Sequence, residues 1–120
     1  IGPGTDNIPV LRLAEQYLIR AEANARLNTA AATVQADINV VRNRAGLANL
    51  ATTVTTQSAL LDAILQERRV EFAFEGFRFM DLRRHGKAQA LLGIAAEKLL
   101  WPLPQSERDV NPNLTQNPGY

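Results

Sequence analysis

Acidic residues recur on the apolar side of one predicted helix, in the segment 67–84 of the chain. Ile64 marks that side, and at about 100° per residue Glu67, Glu71 and Glu75 fall on it as well. Carboxylates that face inward are stable only when they are paired and hydrogen-bonded. The pattern therefore indicates either a reactive site, built for acid–base or metal chemistry, or a set of structural ion pairs.

The groups that a reactive site would need are missing from this sequence. Metal sites in helical bundles use Glu-x-x-His pairs on two helices, but the one histidine is His85 and the residue three before it is Leu82. No glycine-rich phosphate loop, Ser-His-Asp order or zinc-ligand spacing is present. A hydrolase that uses Glu71 or Glu75 is an alternative, although neither has a second well-placed catalytic group. We therefore predict no enzyme, no metal and no cofactor.

We predict instead a lattice of ion pairs that joins packed helices. Arginine suits a half-buried carboxylate because its planar guanidinium donates two parallel hydrogen bonds. On the first helix, Glu15 and Glu22 flank the apolar side, and we expect them to reach Arg42 or Arg44 on the second helix. The predicted lattice comprises Glu15, Glu22, Arg42, Arg44, Glu67, Arg68, Glu71, Glu75, Arg78, Asp81, Arg83 and Arg84.

The aromatic residues offer a second kind of site, a stacking platform for sugars. The phenylalanine spacing is more typical of a protein core, and burial is predicted for Phe72, Phe74, Phe77 and Phe79. Trp101 is the candidate ligand-binding residue, because an exposed indole face suits a pyranose ring. Its position between leucines and a proline favours another interpretation, in which Trp101 fixes the C-terminal tail to the domain.

The composition is that of one domain with a single modest core. The chain has 120 residues, of which 46% are hydrophobic. Thirteen basic and twelve acidic residues give a net charge of +1, which argues against nucleic-acid binding because phosphate recognition needs a concentrated positive face. Without cysteine there is no disulfide, and no apolar run approaches the ~20 residues of a membrane-spanning helix. The chain opens without methionine, so we interpret it as part of a longer protein.

Helical periodicity predicts an all-α fold with a proline-rich, irregular C-terminal strap. We expect Asn28 or Thr29 to cap the second helix, Gly46 to end it, and Ser58 to cap the third. The helices are predicted at about 9–27, 30–45, 58–75 and 78–86. The predicted domain spans 1–120, with an antiparallel helical hairpin at 9–46, a loop at 47–57, helices at 58–86 and an ordered tail at 97–120.

Several segments of the sequence, taken in order, resemble motifs of the SusD/RagB family. The first two resemble the family's helical hairpin, the third its most distinctive motif, and the last its usual C-terminal ending. The segments are Arg12–Leu18 with Ala21–Ala23, Ile38–Leu47, Ile64–Arg78 followed by Asp81–Arg84, and then Pro102–Pro104, Asn111–Pro112 and Gln116–Tyr120.

The resemblance implies tetratricopeptide-like helix pairs and a protein that binds without catalysing. Proteins of this family are outer-membrane lipoproteins of Bacteroidetes that capture glycans or other nutrients at the cell surface. They deliver the ligand to a SusC-type TonB-dependent transporter, over which they act as a lid. The resemblance places this sequence in the C-terminal region, a scaffold portion, with membrane association only through a lipid anchor absent from this chain. No ligand contact is carried over, because the matching motifs are scaffold motifs.

A different function is also compatible with the helix pairs. The alternative is a freestanding helical-repeat module for protein interactions, which would need a concave groove lined with polar residues.

Overall fold

The computed structural model describes residues 11–120, and these residues form helices and no strand. The helices are α1 (Leu13–Arg26), α2 (Ala31–Arg44), α3 (Gln57–Glu71), α4 (Phe77–Arg84), α5 (Ala88–Leu92) and α6 (Gln105–Val110), with a 3₁₀ turn at Ala96–Leu99. The predicted all-α class is therefore confirmed. The chain divides into two compact units, one ending at Glu75 and the other spanning Gly76–Tyr120, and the single domain predicted for 1–120 stays a prediction.

The first unit is an antiparallel pair, α1 and α2, with α3 packed against both helices. Small residues on α1 let the helices approach closely, because a methyl group at the contact keeps the helix axes near each other. The buried core of this unit contains Ala21, Ala25, Val34, Ile38, Leu60 and Ile64. Removing this apolar surface from water is the main force that holds the three helices together.

Glycine ends α2 as the sequence predicts. Gly46 adopts a φ of 72°, its N–H donates to the Asn43 carbonyl at 3.0 Å, and the Leu47 N–H donates to the Arg42 carbonyl at 2.9 Å. This pair of bonds is a Schellman motif, which satisfies carbonyl groups that the last turn leaves without partners.

The starts of α1 and α2 differ from the prediction. The predicted start of α1, Pro9, lies outside the described residues, but Arg12 is extended (φ −126°, ψ 142°) and the helix begins only at Leu13. Neither predicted residue caps α2, which follows Ala30 without a side-chain cap. The Thr29 hydroxyl instead donates to the Asn24 carbonyl at 2.9 Å, so it closes the end of α1.

Both ends of α3 also differ from the prediction. The cap is Thr56, whose side-chain oxygen accepts a bond from the Ala59 N–H at 3.3 Å, and not Ser58, which lies inside the helix. The helix ends at Glu71 and not at Glu75, because the chain turns at Phe74, which adopts a φ of 66°. Such a left-handed conformation is unfavourable for a bulky residue.

The second unit contains α4, α5, the 3₁₀ turn, α6 and the C-terminal residues. The prediction that the tail contains no regular helix is wrong for Gln105–Val110, which forms α6. Proline is compatible with this helix because Pro104 precedes its first residue and the next proline, Pro112, follows its end.

The last residues of the second unit bond to the segment before α6, and we call this arrangement the clasp. It joins residues 98–103 to residues 116–120. The Gln116 amide accepts from the Leu103 N–H at 2.7 Å and donates to the Leu103 carbonyl at 3.0 Å. The Asn117 amide donates to the Trp101 carbonyl at 2.7 Å, and the Tyr120 hydroxyl donates to the Leu100 carbonyl at 2.9 Å. These side-chain hydrogen bonds hold the two segments in a fixed arrangement, and no β-sheet is needed.

Candidate functional site

Arg12 binds two carboxylates at the end of α3. Its guanidinium donates to Glu71 Oε1 at 2.8 Å and to the Glu71 main-chain carbonyl at 2.7 Å. It also donates to both carboxylate oxygens of Glu75, at 2.8 and 3.3 Å. Since Arg12 directly precedes α1, these bonds fix the start of α1 to the end of α3. Charge-assisted bonds of this forked geometry are among the stronger hydrogen bonds in proteins.

Glu71 is shared between two arginines. Its second oxygen accepts a bond from Arg44, the last residue of α2, and its side chain is only 8% exposed. The start of α1, the end of α2 and the end of α3 therefore meet at one carboxylate. One turn earlier on α3, Glu67 accepts from Arg42, which also donates to the Ala48 carbonyl at 2.8 Å.

Phe72 contacts two guanidinium groups. Arg12 and Arg68 each place the guanidinium carbon 5.0 Å from the centre of the Phe72 ring. Arg68 is buried and approaches Glu15 at 4.0 Å. Attraction between a cation and a ring face is stronger when water is excluded. Arg12 and Arg68 are therefore each stabilised by the Phe72 ring as well as by a carboxylate.

The predicted pairing of α1 with α2 through Glu15 and Glu22 is not what the structure shows. Glu15 faces Arg68 of α3, and Glu22 accepts from Arg26 at 2.8 Å within α1.

The α1–α2 ion pair that the structure does contain joins Arg20 and Asp37. Two bonds of 2.9 and 2.6 Å connect them, and hydrogen bonding to Asp37 raises the pKa of Arg20 above its ordinary value. Asp37 is buried, whereas Arg20 is exposed and also stacks on the Tyr17 ring at 5.3 Å. The sequence analysis did not predict this pair, although Arg20 and Asp37 are an arginine and a carboxylate like the partners in the predicted lattice.

The remaining lattice residues lie on α4, in the second unit. Asp81 is buried and accepts from Arg84 at 3.0 Å, one turn along the same helix. Arg78 is half-buried, and Arg83 is exposed and forms no ion pair with any residue from 11 to 120. The prediction that all twelve residues form one lattice stays a prediction.

The aromatic residues separate into different environments. Phe72 is buried as predicted, and Phe77 and Phe79 are half-buried. Phe74 is fully exposed, so the prediction of burial is wrong there, because its turn directs the side chain away from the core. Trp101 is 66% exposed and meets Phe79 edge-on, with ring centres 6.4 Å apart at 75°.

The chemistry available to the lattice is neutralisation. Each of Glu67, Glu71 and Glu75 accepts at least one bond from an arginine, so each negative charge lies beside a positive one. Among residues 11–120, no three histidine or acidic side chains converge as a metal site would require. In the same part of the chain, no helix is both long and apolar enough to cross a membrane.

Arg12 is the functional residue that the sequence analysis missed. A helix assumed to start at Pro9 places Arg12 on the solvent side, opposite the apolar stripe. Because Arg12 is extended, its side chain turns towards α3 instead. A signal was available, since Glu67, Glu71 and Glu75 are three carboxylates, whereas α2 offers only two arginines.

Known proteins resemble the chain along its whole length. The SusD family model matches residues 2–99 and 89–120. The starch-binding protein SusD of Bacteroides thetaiotaomicron is 38% identical over 98% of this chain and 22% of its own length. SusD-like proteins P38 and P2 of Formosa agariphila are each 32% identical, over 100% and 97% of this chain and 26% of their own lengths.

The chain therefore spans about a quarter of the length of the curated relatives it matches. No solved structure matches it significantly. Because the family match extends over nearly the whole sequence, the chain belongs to the SusD family.

Proposed function

We propose that this chain is the scaffold portion of a cell-surface glycan-binding or nutrient-binding protein. The single observation that carries the proposal is the family match over 97–100% of the chain, which includes a relative named as starch-binding. In this role the chain provides rigidity, and the ligand is bound by other parts of the polypeptide. The protein binds its ligand without transforming it.

The lattice supports a scaffold role because it fixes helix ends to one another. Glu71 connects α3 to both other helices of the first unit, through Arg12 and Arg44. Groups that are paired in this way are held in one arrangement and are not free to bind a ligand. Trp101 remains the candidate ligand group predicted from the sequence, because its indole is exposed.

Calorimetric titration tests the assignment of roles. The 120-residue chain and the complete protein encoded by its gene are each titrated with maltoheptaose and a panel of other oligosaccharides. We expect the complete protein to bind one of them and the 120-residue chain to bind none more tightly than about 1 mM. Binding by the short chain at about 10 μM or tighter would refute the scaffold assignment. Loss of that binding in Trp101→Ala would then locate the site in the second unit.

The same proposal includes a location and a partner. The complete protein is held at the outer membrane by a lipid anchor and delivers its ligand to a SusC-type TonB-dependent transporter. Affinity purification of the complete protein from detergent-solubilised outer membranes should recover a transporter of this type in similar amount. Its absence from purified material that still binds glycan would refute the delivery step alone.

A further inference from the structure

Trp101 presents a large aromatic surface that the second unit leaves uncovered. Trp101 is 66% exposed, whereas tryptophan is on average among the more buried residues. Within residues 11–120, its indole N–H donates to no other group. The scaffold role uses neither property, so Trp101 is available to bind something else.

The clasp holds the main chain of Trp101 in one position. The Asn117 side-chain amide donates to the Trp101 carbonyl at 2.7 Å, and the Tyr120 hydroxyl donates to the carbonyl of the preceding Leu100 at 2.9 Å. Pro102 follows directly and favours an extended main chain at Trp101. A ligand that binds here therefore needs little further ordering of the main chain.

The Phe79 ring orients the indole. The two rings meet edge-on, with centres 6.4 Å apart and planes at 75°. Aromatic pairs of this geometry attract each other because the positive edge of one ring points at the negative face of the other. Phe79 of α4 thus supports the indole, which still exposes most of its surface.

A hydrogen-bond donor and an acceptor lie beside this aromatic surface. The donor is the indole N–H. The acceptor is the side-chain oxygen of Asn117, which accepts no bond from residues 11–120 and belongs to the amide that binds the Trp101 carbonyl. The ammonium group of Lys98 is already bound, because it donates to the Gly119 carbonyl at 2.9 Å and lies 4.0 Å from the centre of the Tyr120 ring.

A neutral sugar ring matches these groups better than a protein side chain does. A pyranose has C–H bonds on one face and hydroxyl groups around its edge, which both donate and accept hydrogen bonds. An apolar side chain of a protein partner would cover the indole N–H and the Asn117 oxygen without bonding to them, which is unfavourable. A charged ligand would have to displace the partners of Lys98.

We propose that Trp101 and Asn117 form a second, weak binding site for a neutral pyranose glycan. The indole stacks on one face of the sugar, and the indole N–H and the Asn117 oxygen bond to its hydroxyl groups. The site is separate from the principal ligand site, which lies in other parts of the polypeptide, and it rests on the proposed function only for the presence of glycan at the protein. A long polysaccharide that reaches both sites is held more tightly, because its second contact is intramolecular.

The single tryptophan of the chain allows a direct test. Its indole N–H gives one nitrogen-15 correlation in the NMR spectrum of the labelled 120-residue chain, which is titrated with maltoheptaose, cellotetraose and mannopentaose. We expect at least one sugar to shift this signal saturably, with a Kd of about 1–20 mM, as suits a small exposed site. Glycerol at a matched concentration of hydroxyl groups is the control and should give no saturation. An indole signal that no sugar shifts saturably would overturn the proposal, as would saturable shifts elsewhere in the chain with the indole signal unmoved.

Substitutions in the same chain locate the site, with the Asn117 side-chain amide signal as the readout. Trp101→Ala should weaken binding at least about tenfold, and Phe74→Ala, at a fully exposed aromatic residue of the first unit, should change the Kd less than about twofold. Unchanged affinity in a folded Trp101→Ala would overturn the proposal. If Trp101→Ala does not fold, Trp101→Phe decides, because it keeps an aromatic ring beside Phe79 but has a smaller face and no N–H. It should weaken binding about threefold, and an unchanged Kd would overturn the proposal.

The complete protein encoded by the gene separates this inference from the proposed function. Its binding is measured with amylopectin and maltotriose, or with the polymer and trimer of whichever sugar it binds. Trp101→Ala should weaken binding of the polymer at least about fivefold and binding of the trimer less than about twofold. Equal effects on polymer and trimer would overturn the second site. A complete protein that binds no glycan, together with a saturable shift of the indole signal in the 120-residue chain, would refute the proposed function alone.

Discussion

Replacing Glu71 by glutamine removes one charge from the junction of three helices while keeping the size of the side chain. The wild-type carboxylate is 8% exposed and accepts from Arg12 and Arg44. A glutamine can accept from only one of them at this position, and its amide group would point a donor at the other guanidinium. Glu71→Gln should therefore destabilise the first unit.

The expected loss of stability depends on the hydrogen bonds that Arg12 and Arg44 keep after the substitution. Removing one partner of a fully buried pair costs about 3–5 kcal/mol. Arg12 keeps both bonds to Glu75 and the bond to the Glu71 main chain, and Arg44 is 56% exposed and can be solvated. The loss is therefore nearer that of a charge-assisted hydrogen bond, about 2 kcal/mol. For a chain of this size such a loss lowers Tm by about 8 °C.

The assay is urea unfolding of the 120-residue chain followed by far-ultraviolet circular dichroism, which reports mainly on the helices. Glu107→Gln is the control, since Glu107 is exposed on α6 and forms no ion pair with residues 11–120. It should change the free energy of unfolding by less than about 0.5 kcal/mol. A loss below about 0.5 kcal/mol for Glu71→Gln would refute the argument. Loss of a hydrolytic activity with unchanged stability would support the hydrolase alternative instead.

Three further substitutions test other parts of the first unit by the same unfolding measurement. Arg12→Lys should cost about 1–2 kcal/mol, because a lysine cannot bind both Glu71 and Glu75 in forked geometry, and a neutral result would show that charge alone suffices. Phe74→Asn should stabilise the chain by up to about 1 kcal/mol, since asparagine tolerates the φ of 66° and the phenyl ring is exposed; destabilisation would show that the ring has an unrecognised contact. Gly46→Ala should cost about 1 kcal/mol, because the added methyl group meets no neighbour and only the φ of 72° is strained, and an unchanged stability would exclude that strain.

The class and the core of the fold were predictable because they follow from helical periodicity. Ala21, Ala25, Val34 and Ile38 recur at the spacing of one helix face, and all are buried. Packing of that face decides whether the helices form, so errors in the end positions do not alter the class.

The helix ends were less predictable because several residues can supply the same hydrogen bond. Thr29 has the hydroxyl of an N-cap but uses it on the helix that precedes it, and Thr56 caps α3 two residues before the predicted Ser58. Which oxygen bonds which N–H depends on the path of the chain between helices, and that path depends on contacts distant in sequence.

The acidic residues of the candidate site and two of their partners, Arg42 and Arg44, were predictable, but Arg12 was not. Glu67, Glu71 and Glu75 stand out because they interrupt an apolar stripe. Their arginine partners lie in other segments, so pairing them needs the tertiary arrangement. Arg12 illustrates the difficulty. It lies 59 residues from Glu71 in the sequence, and it reaches that carboxylate because its backbone is extended.

The Gln116 side chain bonds to both the N–H and the carbonyl of Leu103, as a neighbouring β-strand would. Leu103 stands between Pro102 and Pro104, neither of which has an N–H to offer. An extended segment with free main-chain groups would be a template for pairing with another molecule. A single amide side chain thus occupies the N–H and the carbonyl of Leu103, so neither group is available to pair with a foreign sheet.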